Sequence, residues 1–463
     1  IQLFGTQKII AIGTYLYSNI SMKFSSYLAA AAVMSGVQAS PHPAPQQQLL
    51  GVPSSPSKSS YSQADLDDII NDSPLLSFHR DLVEIESISG NEHDVGLFVA
   101  QFLEARNFSV VKQEVPPVKG QENTKTRYNI YAVPKSYTEP PSIILTSHID
   151  TVPPFIPYST HQPNTDESTT TFDPEDLIIA GRGSVDAKGS VAAQVFATLE
   201  TLDTQPDAKL GLLFVVGEEI GGDGMKVFSN STLNAKDAIN TVIFGEPTEA
   251  ALVAGHKGML GFKVLAHGSA AHSGYPWLGK SAVSAILPAL SRIDVLGDIP
   301  VEEGGLPASP KYGPTTLNIG FIRAGVATNV VPSEALADVA VRLAAGTPAE
   351  ARKIIQRAVD EAVQDVEAEV SLDFVSHGEC YPPQDLDVDV DGFDVTTVNY
   401  GTDVPNLAVG PGAKRYLYGP GSIFVAHGDN EALSIREIKE AVVGYKKLIE
   451  AALDREEKGE VAV

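Results

Sequence analysis

Five short apolar runs along the chain each give way at once to a His, an Asp or a Glu. Leu210 to Val216 runs into Glu218 and Glu219, Ser142 to Ser147 into His148 and Asp150, and Leu177 to Ala180 into Gly181-Arg-Gly183 and Asp186. Thr241 to Phe244 runs into Glu246, and Ser422 to Ala426 into His427. Runs of this length bounded by Gly and polar residues predict buried strands. Between them the apolar period changes to that of helices. From Pro74 to Val110 the pattern is helical, with Leu75, Leu76, Leu82 and Val83 on one set of turns and Val95, Phe98, Val99 and Phe102 on another. Val191, Val195, Leu199 and Leu202 mark a helix after Asp186, and Ile438, Val442, Leu448 and Ala452 a last helix from about Ser434 to Leu453.

Strand and helix alternate as far as His256, which predicts an α/β fold with a mostly parallel sheet and helices on both faces. The order then changes. A strand (Gly261–His267), a helix (Lys280–Ile293), two strands (Thr315–Ala324 and Glu334–Leu343), a helix (Pro348–Asp365) and a strand (Glu367–Val375) give β-α-β-β-α-β. That is the split βαβ, or ferredoxin-like, unit. It falls between Glu246 and His427 and so reads as an insertion. The expected division is a catalytic domain in two parts, 65–256 and 376–463, around an inserted α+β lid, 257–375, with His256 at the crossover as a hinge.

The amino end reads differently. After residues 1–21, an upstream extension, Met22 and Lys23 begin a signal-peptide pattern with an apolar stretch from Phe24 to Val33 and a small-residue cleavage site, Val37-Gln-Ala39. Its apolar stretch is short of the ~20 residues a membrane span needs. Residues 40–64, rich in Pro, Gln and Ser, read as a disordered lead-in or propeptide. A secreted, extracellular protein is therefore expected, and Asn107-Phe-Ser109 and Asn230-Ser-Thr232 become glycan acceptor patterns.

Composition narrows the chemistry. A net charge of -25 argues against nucleic acid or an anionic membrane as partner. One cysteine, Cys380, leaves no disulfide framework and no thiolate-rich metal site, so a metal here must be held by His, Asp and Glu. Adjacent acids such as Glu218 and Glu219 at the tip of a buried strand are costly without a positive partner. In open α/β sheets ligands bind beyond the carboxyl ends of the strands, so the five tips point to one shared metal site. A solvated turn for the Glu pair, and a structural role for any single His, are the plainer alternatives.

The stretches Ser147-His-Ile-Asp-Thr151, Gly181-Arg-Gly-Ser-Val-Asp-Ala-Lys-Gly189, Gly217-Glu-Glu-Ile-Gly-Gly222, Gly245-Glu-Pro-Thr248 and His427-Gly-Asp-Asn-Glu431 resemble the zinc metallopeptidase and deacylase family of acetylornithine deacetylase, succinyl-diaminopimelate desuccinylase, aminoacylase and glutamate carboxypeptidase. The match runs in order over about residues 75–455. The resemblance implies two zinc ions per chain, with His148 and Glu246 on one, Glu219 and His427 on the other, and Asp186 as the bridge. It implies Glu218 as general base and Asp150 as the acid that orients His148. In the lid, His272 resembles the histidine that reaches a partner subunit's site, and Asn329 and Arg342 resemble residues that hold a substrate carboxylate. A homodimer through the lid follows from that role of His272. Gly419 to Gly421 are further candidates to offer backbone N–H groups to the same carboxylate, or are simply a turn. The expectation is a secreted dizinc carboxypeptidase acting on peptides or N-acyl amino acids with a free carboxylate. An N-acyl-amino-acid deacylase with the same machinery, and a non-catalytic metal- or peptide-binding protein on the same fold, stay open as alternatives.

Overall fold

The computed structural model describes residues 62–120, 125–163, 173–375 and 380–459. The upstream extension, the signal peptide and all but the end of the 40–64 lead-in lie outside these residues. The end of the lead-in is already helical. Ser62 caps a helix at Gln63–Asn71 through a reciprocal capping box with Asp65.

A six-stranded sheet forms the centre, in the order Phe108–Val115, Arg127–Pro134, Leu210–Val215, Ile143–His148, Thr241–Gly245, Lys414–Tyr418. The last four strands are parallel to one another and the first two are antiparallel. Alternate side chains leave opposite faces of a strand, and Ile143 and Leu145 enter one core while Ile144 enters another. The first core lies beneath helices Pro74–Glu84, His93–Glu104, Lys188–Thr204 and Ile435–Glu457. The second, on the other face, is closed by Met225 and Phe228 of the short helix Asp223–Ser229 and by Val253 of a small second sheet. Because the parallel strands are buried on both faces, they read as unbroken apolar runs, and this is why they could be seen in the sequence.

Two expectations are corrected. The stretch from Pro74 to Val110 is two helices followed by a strand, since Phe108 to Val115 pairs antiparallel with Arg127–Pro134 after Asn107 turns the chain with φ +67°. The run Ser422 to Ala426 is a series of turns rather than a strand, and Phe424 is 89% exposed. The sheet strand is Lys414–Tyr418, where Tyr416, Leu417 and Tyr418 are buried. Its charged first residues hid it: Lys414 pairs with Asp387 and Asp389 at the sheet edge, and Arg415 donates its backbone N–H to Asp387 and its guanidinium to the Asp385 carbonyl.

The inserted domain carries the strands Gly258–His267, Thr316–Ala324, Glu334–Leu343 and Glu369–Asp373, all antiparallel, with the helices Ala282–Asp294 and Pro348–Val363. The strand order places Gly258–His267 beside both Glu334–Leu343 and Glu369–Asp373, which is the ferredoxin-like arrangement. Its core is its own, built on Leu260, Phe262, Val264, Ile286, Ile293 and Ile355. No helix of the described residues is long and apolar enough to cross a membrane.

Candidate metal centre

The acidic and imidazole groups of the site are delivered by five separate segments of the chain. His148 is the last residue of its strand, and Glu246 directly follows Gly245 at the end of the neighbouring parallel strand. Asp186 lies in the turn that opens the helix Lys188–Thr204. Glu218 and Glu219 sit on a single 3-10 turn after Leu210–Val215, between Gly217 (φ +72°) and Gly222 (φ +75°). Residues that carry a Cβ rarely adopt such φ values, so these glycines let the strand fold back and present both acids to the cleft. His427 comes from the turns after Gly421 and has itself a φ of +63°.

These groups form two triads that share Asp186: His148, Asp186 and Glu246, and Asp186, Glu219 and His427. One Asp186 oxygen lies 3.0 Å from His148 Nε2 and the other 3.2 Å from His427 Nε2. Glu246 is 3.9 Å from the same His148 nitrogen, and Glu219 is 3.1 Å from His427 Nε2. Glu218 belongs to neither triad but lines the same cleft, of about 520 Å³.

The surrounding contacts fix these side chains. Asp150 accepts hydrogen bonds from the backbone N–H groups of Glu218 (3.2 Å) and Glu219 (3.3 Å) and from Ser89 Oγ (2.7 Å). His148 Nδ1 meets the backbone carbonyl of Asp150 at 3.0 Å, and the Asp150 carboxylate lies farther off at 3.6 Å. Asp150 thus ties the His148 strand end to the Glu218–Glu219 turn. Sequence reasoning assigned no role to Arg182 and Glu431, which form a buried pair at 2.7 Å. The other Glu431 oxygen accepts the N–H groups of Val185 (3.0 Å) and Asp186 (3.1 Å), while Arg182 donates to the carbonyls of His427 and Gly428. This one pair anchors the backbone on either side of the shared triad. Both residues stand inside motifs already singled out, so their position in those motifs was the available signal. Asp403, buried beside His148 and Glu246, was not foreseen.

Charge balance bears on what the site can hold. Burial pushes Glu218 and Glu246 well above the usual carboxylate range, and the neighbouring acids push them further. Burial likewise raises Asp403 to about 6. Hydrogen bonds to Asp186 and Glu219 raise His427 to about 10. Burial opposes the charged form of His148, but Asp150 and Asp186 outweigh it and raise that imidazole too. The direct ion-pair partners of the triad carboxylates are these two imidazoles. A donor set of carboxylate oxygens and imidazole nitrogens with this much anionic charge fits divalent cations, and the two triads fit two of them.

The lid residues divide. Arg342 lines the cleft with Glu218, and its Nη1 meets the sulfur of Met259 at 3.4 Å. His272 and Asn329 do not join it. They are exposed neighbours, linked by Ser273 N–H donating to the Asn329 carbonyl (3.0 Å) and by a bridge between His272 and Val330. The Gly419 N–H is taken by Thr248 Oγ1 at 3.0 Å, which is the turn reading of those glycines. His256 is buried at the crossover, with its ring nitrogens on the Lys257 carbonyl (2.8 Å) and Thr402 Oγ1 (3.1 Å). Asn107 and Asn230 are both exposed.

A family model described as the peptidase dimerisation domain matches residues 254–370, the inserted unit. A protein of Aspergillus flavus named a probable carboxypeptidase is 64% identical over 425 residues, which cover 90% of this chain and 96% of that one. The chain belongs to the M20 metallopeptidase family. It is accordingly a hydrolase acting on peptide bonds. Two solved structures share the fold of this M20 peptidase at low identity. A tripeptidase from Staphylococcus aureus aligns with a TM-score of 0.62 at 21% identity, covering 83% of this chain and 99% of that one. An M20 family metallo-carboxypeptidase from Sulfolobus solfataricus aligns at 0.58 and 16%, covering 81% and 98%.

Proposed function

We propose that this M20 peptidase is a secreted, dizinc carboxypeptidase that hydrolyses the C-terminal amide bond of peptides and works as a homodimer through its lid. The observation that carries the reading is the cleft itself. It joins two ligand triads that share Asp186, a carboxylate outside both and a guanidinium from the inserted domain. Two zinc ions held by His148, Glu246, Asp186, Glu219 and His427 would make a water nucleophilic near neutral pH and polarise the scissile carbonyl.

The chain's own groups supply the rest. Arg342 binds the terminal carboxylate, for which its planar fork is suited. Glu218, raised by burial, takes a proton from the attacking water and later gives it to the departing nitrogen, so that a free amino acid leaves the shortened peptide. Asp150 holds the Glu218–Glu219 turn in place during both transfers. His272 and Asn329, exposed on the lid, act on a neighbouring subunit's site, and closure of the lid completes each cleft and excludes water. The names of the curated relatives, probable carboxypeptidases at 60% identity and above, support the reaction. The signal-peptide pattern from Met22 to Ala39 and the exposed acceptor residues Asn107 and Asn230 support secretion with glycosylation.

The test compares peptides, their C-terminal amides and N-acetyl amino acids, before and after chelation and with zinc restored. Chelator-sensitive release of C-terminal residues from free-acid peptides, with about two zincs per chain by elemental analysis, is expected. Turnover of acetyl amino acids alone would make the protein a deacylase. Glu218→Gln should lower kcat by about 10²- to 10⁴-fold while the metal content stays the same. Retained activity in that variant would remove Glu218 as the base.

A further inference from the structure

Tyr381 reaches the cleft from the segment that brings the chain back from the lid, and neither ligand triad uses it. Its backbone is pinned to the first lid strand by reciprocal hydrogen bonds with Met259, at 3.0 and 3.1 Å. Its ring stands edge-on to buried His256, with centroids 6.0 Å apart. The hydroxyl lies over Gly401. A Cβ built on that glycine would run into Tyr381 Oη and would lie 3.4 Å from Arg342 Nη1, so phenol and guanidinium converge above a floor that only glycine leaves open.

The direct side-chain partner of both is the same thioether: Met259 Sδ is 3.4 Å from Arg342 Nη1 and 3.9 Å from Tyr381 Oη. A thioether is a weak acceptor, so both donors hold strength that a carboxylate oxygen could draw on. Burial and the charge of Glu218 push the phenol upward, against the opposing pull of Arg342, so it remains a protonated donor at working pH.

We propose that Tyr381 is a second donor, beside Arg342, for the terminal carboxylate of the substrate, the phenol holding one oxygen while the guanidinium holds the other. This rests on the carboxypeptidase reading above. It gives Tyr381 a positioning and specificity role: a substrate without that carboxylate gains nothing from the hydroxyl. It also explains why a large aromatic residue and a glycine, Tyr381 and Gly401, meet at this point of the cleft.

Steady-state kinetics on peptide pairs that differ only in a free or an amidated C-terminus test it, using zinc-loaded full-length protein. In Tyr381→Phe the ring and its contact with His256 remain, and thermal melting and zinc content should match the wild type. KM for free-acid peptides should rise about 10- to 100-fold with kcat nearly unchanged, as expected for losing a hydrogen bond to a charged group. The amidated peptides should be unaffected, and the loss should shrink when Arg342 is already Gln. Gly401→Ala, whose Cβ would displace the Tyr381 hydroxyl and crowd Arg342 Nη1, should move KM in the same direction. A wild type that treats free and amidated peptides alike would overturn both the carboxypeptidase reading and this one. A wild type that prefers the free acid, with Tyr381→Phe leaving that preference intact, would overturn the role of Tyr381 alone. So would a fall in kcat equal for both peptides, because the hydroxyl would then act at the scissile carbonyl.

Discussion

Glu431→Ala should separate the scaffold of the site from its chemistry. Glu431 is 2% exposed and Arg182 1%, and their contact is 2.7 Å. Removing one partner of a buried pair strands the other charge, which typically costs about 3–5 kcal/mol. Part of that arises because the Val185 and Asp186 N–H groups lose their acceptor, at roughly 1–3 kcal/mol for each buried donor left unpaired. Urea unfolding of the metal-free protein measures the sum. Zinc affinity should fall as well, by about 10- to 100-fold, since contacts that orient metal ligands carry effects of that size. The double variant Arg182→Met/Glu431→Leu distinguishes the two causes. It removes the stranded guanidinium but not the orphaned N–H groups, so it should recover part of the stability and little of the zinc affinity. A Glu431→Ala protein as stable as the wild type, with unchanged zinc affinity, would refute this account of the pair.

Acid should destabilise the fold through its buried imidazoles. Burial lowers both His79 and His256 to about 4, below the 6.5 of an exposed histidine. The unfolded chain therefore binds protons that the folded one refuses, and stability falls as pH drops from about 6.5 to 4. The loss is on the order of 3 kcal/mol for each group, and replacing His79 with Gln should flatten the slope of unfolding free energy against pH in that window. Gly222→Ala should disrupt the site, because a Cβ at φ +75° would run into Asn406 Nδ2 and Asp403 Oδ1; a fall in zinc content at constant helix content by circular dichroism would register it. His272→Ala should cost activity only if the dimer forms. Mixing it with Glu218→Gln protein should then restore part of the turnover through hybrid dimers, and a mixture no more active than its parts would place His272 outside catalysis.

The sequence by itself determined the class of the fold and most of the site. Strands buried on both faces must be apolar throughout, so Ile143 to Ser147, Leu210 to Val216 and Thr241 to Phe244 declared themselves, and the His or Glu after each marked where a ligand would gather. The lid was legible for a similar reason: its strand Glu334–Leu343 alternates buried side chains with half-buried or exposed ones along its length, and the helix Pro348–Val363 starts at a Thr347–Glu350 capping box. Local pattern failed where burial is decided by distant neighbours. Ser422 to Ala426 is as apolar as a core strand yet lies in turns at the cleft, whereas Lys414–Tyr418 begins with two cations and is a sheet strand because Asp387 and Asp389 pair with Lys414 while Arg415 donates to the Asp385 carbonyl. Only the tertiary structure could bring Arg182 to Glu431, separated by 249 positions, or converge Tyr381 and Arg342 above Gly401. Such pairings leave no periodic trace, because a buried charge or hydroxyl needs a partner at a few ångströms in space and not at any fixed spacing along the chain.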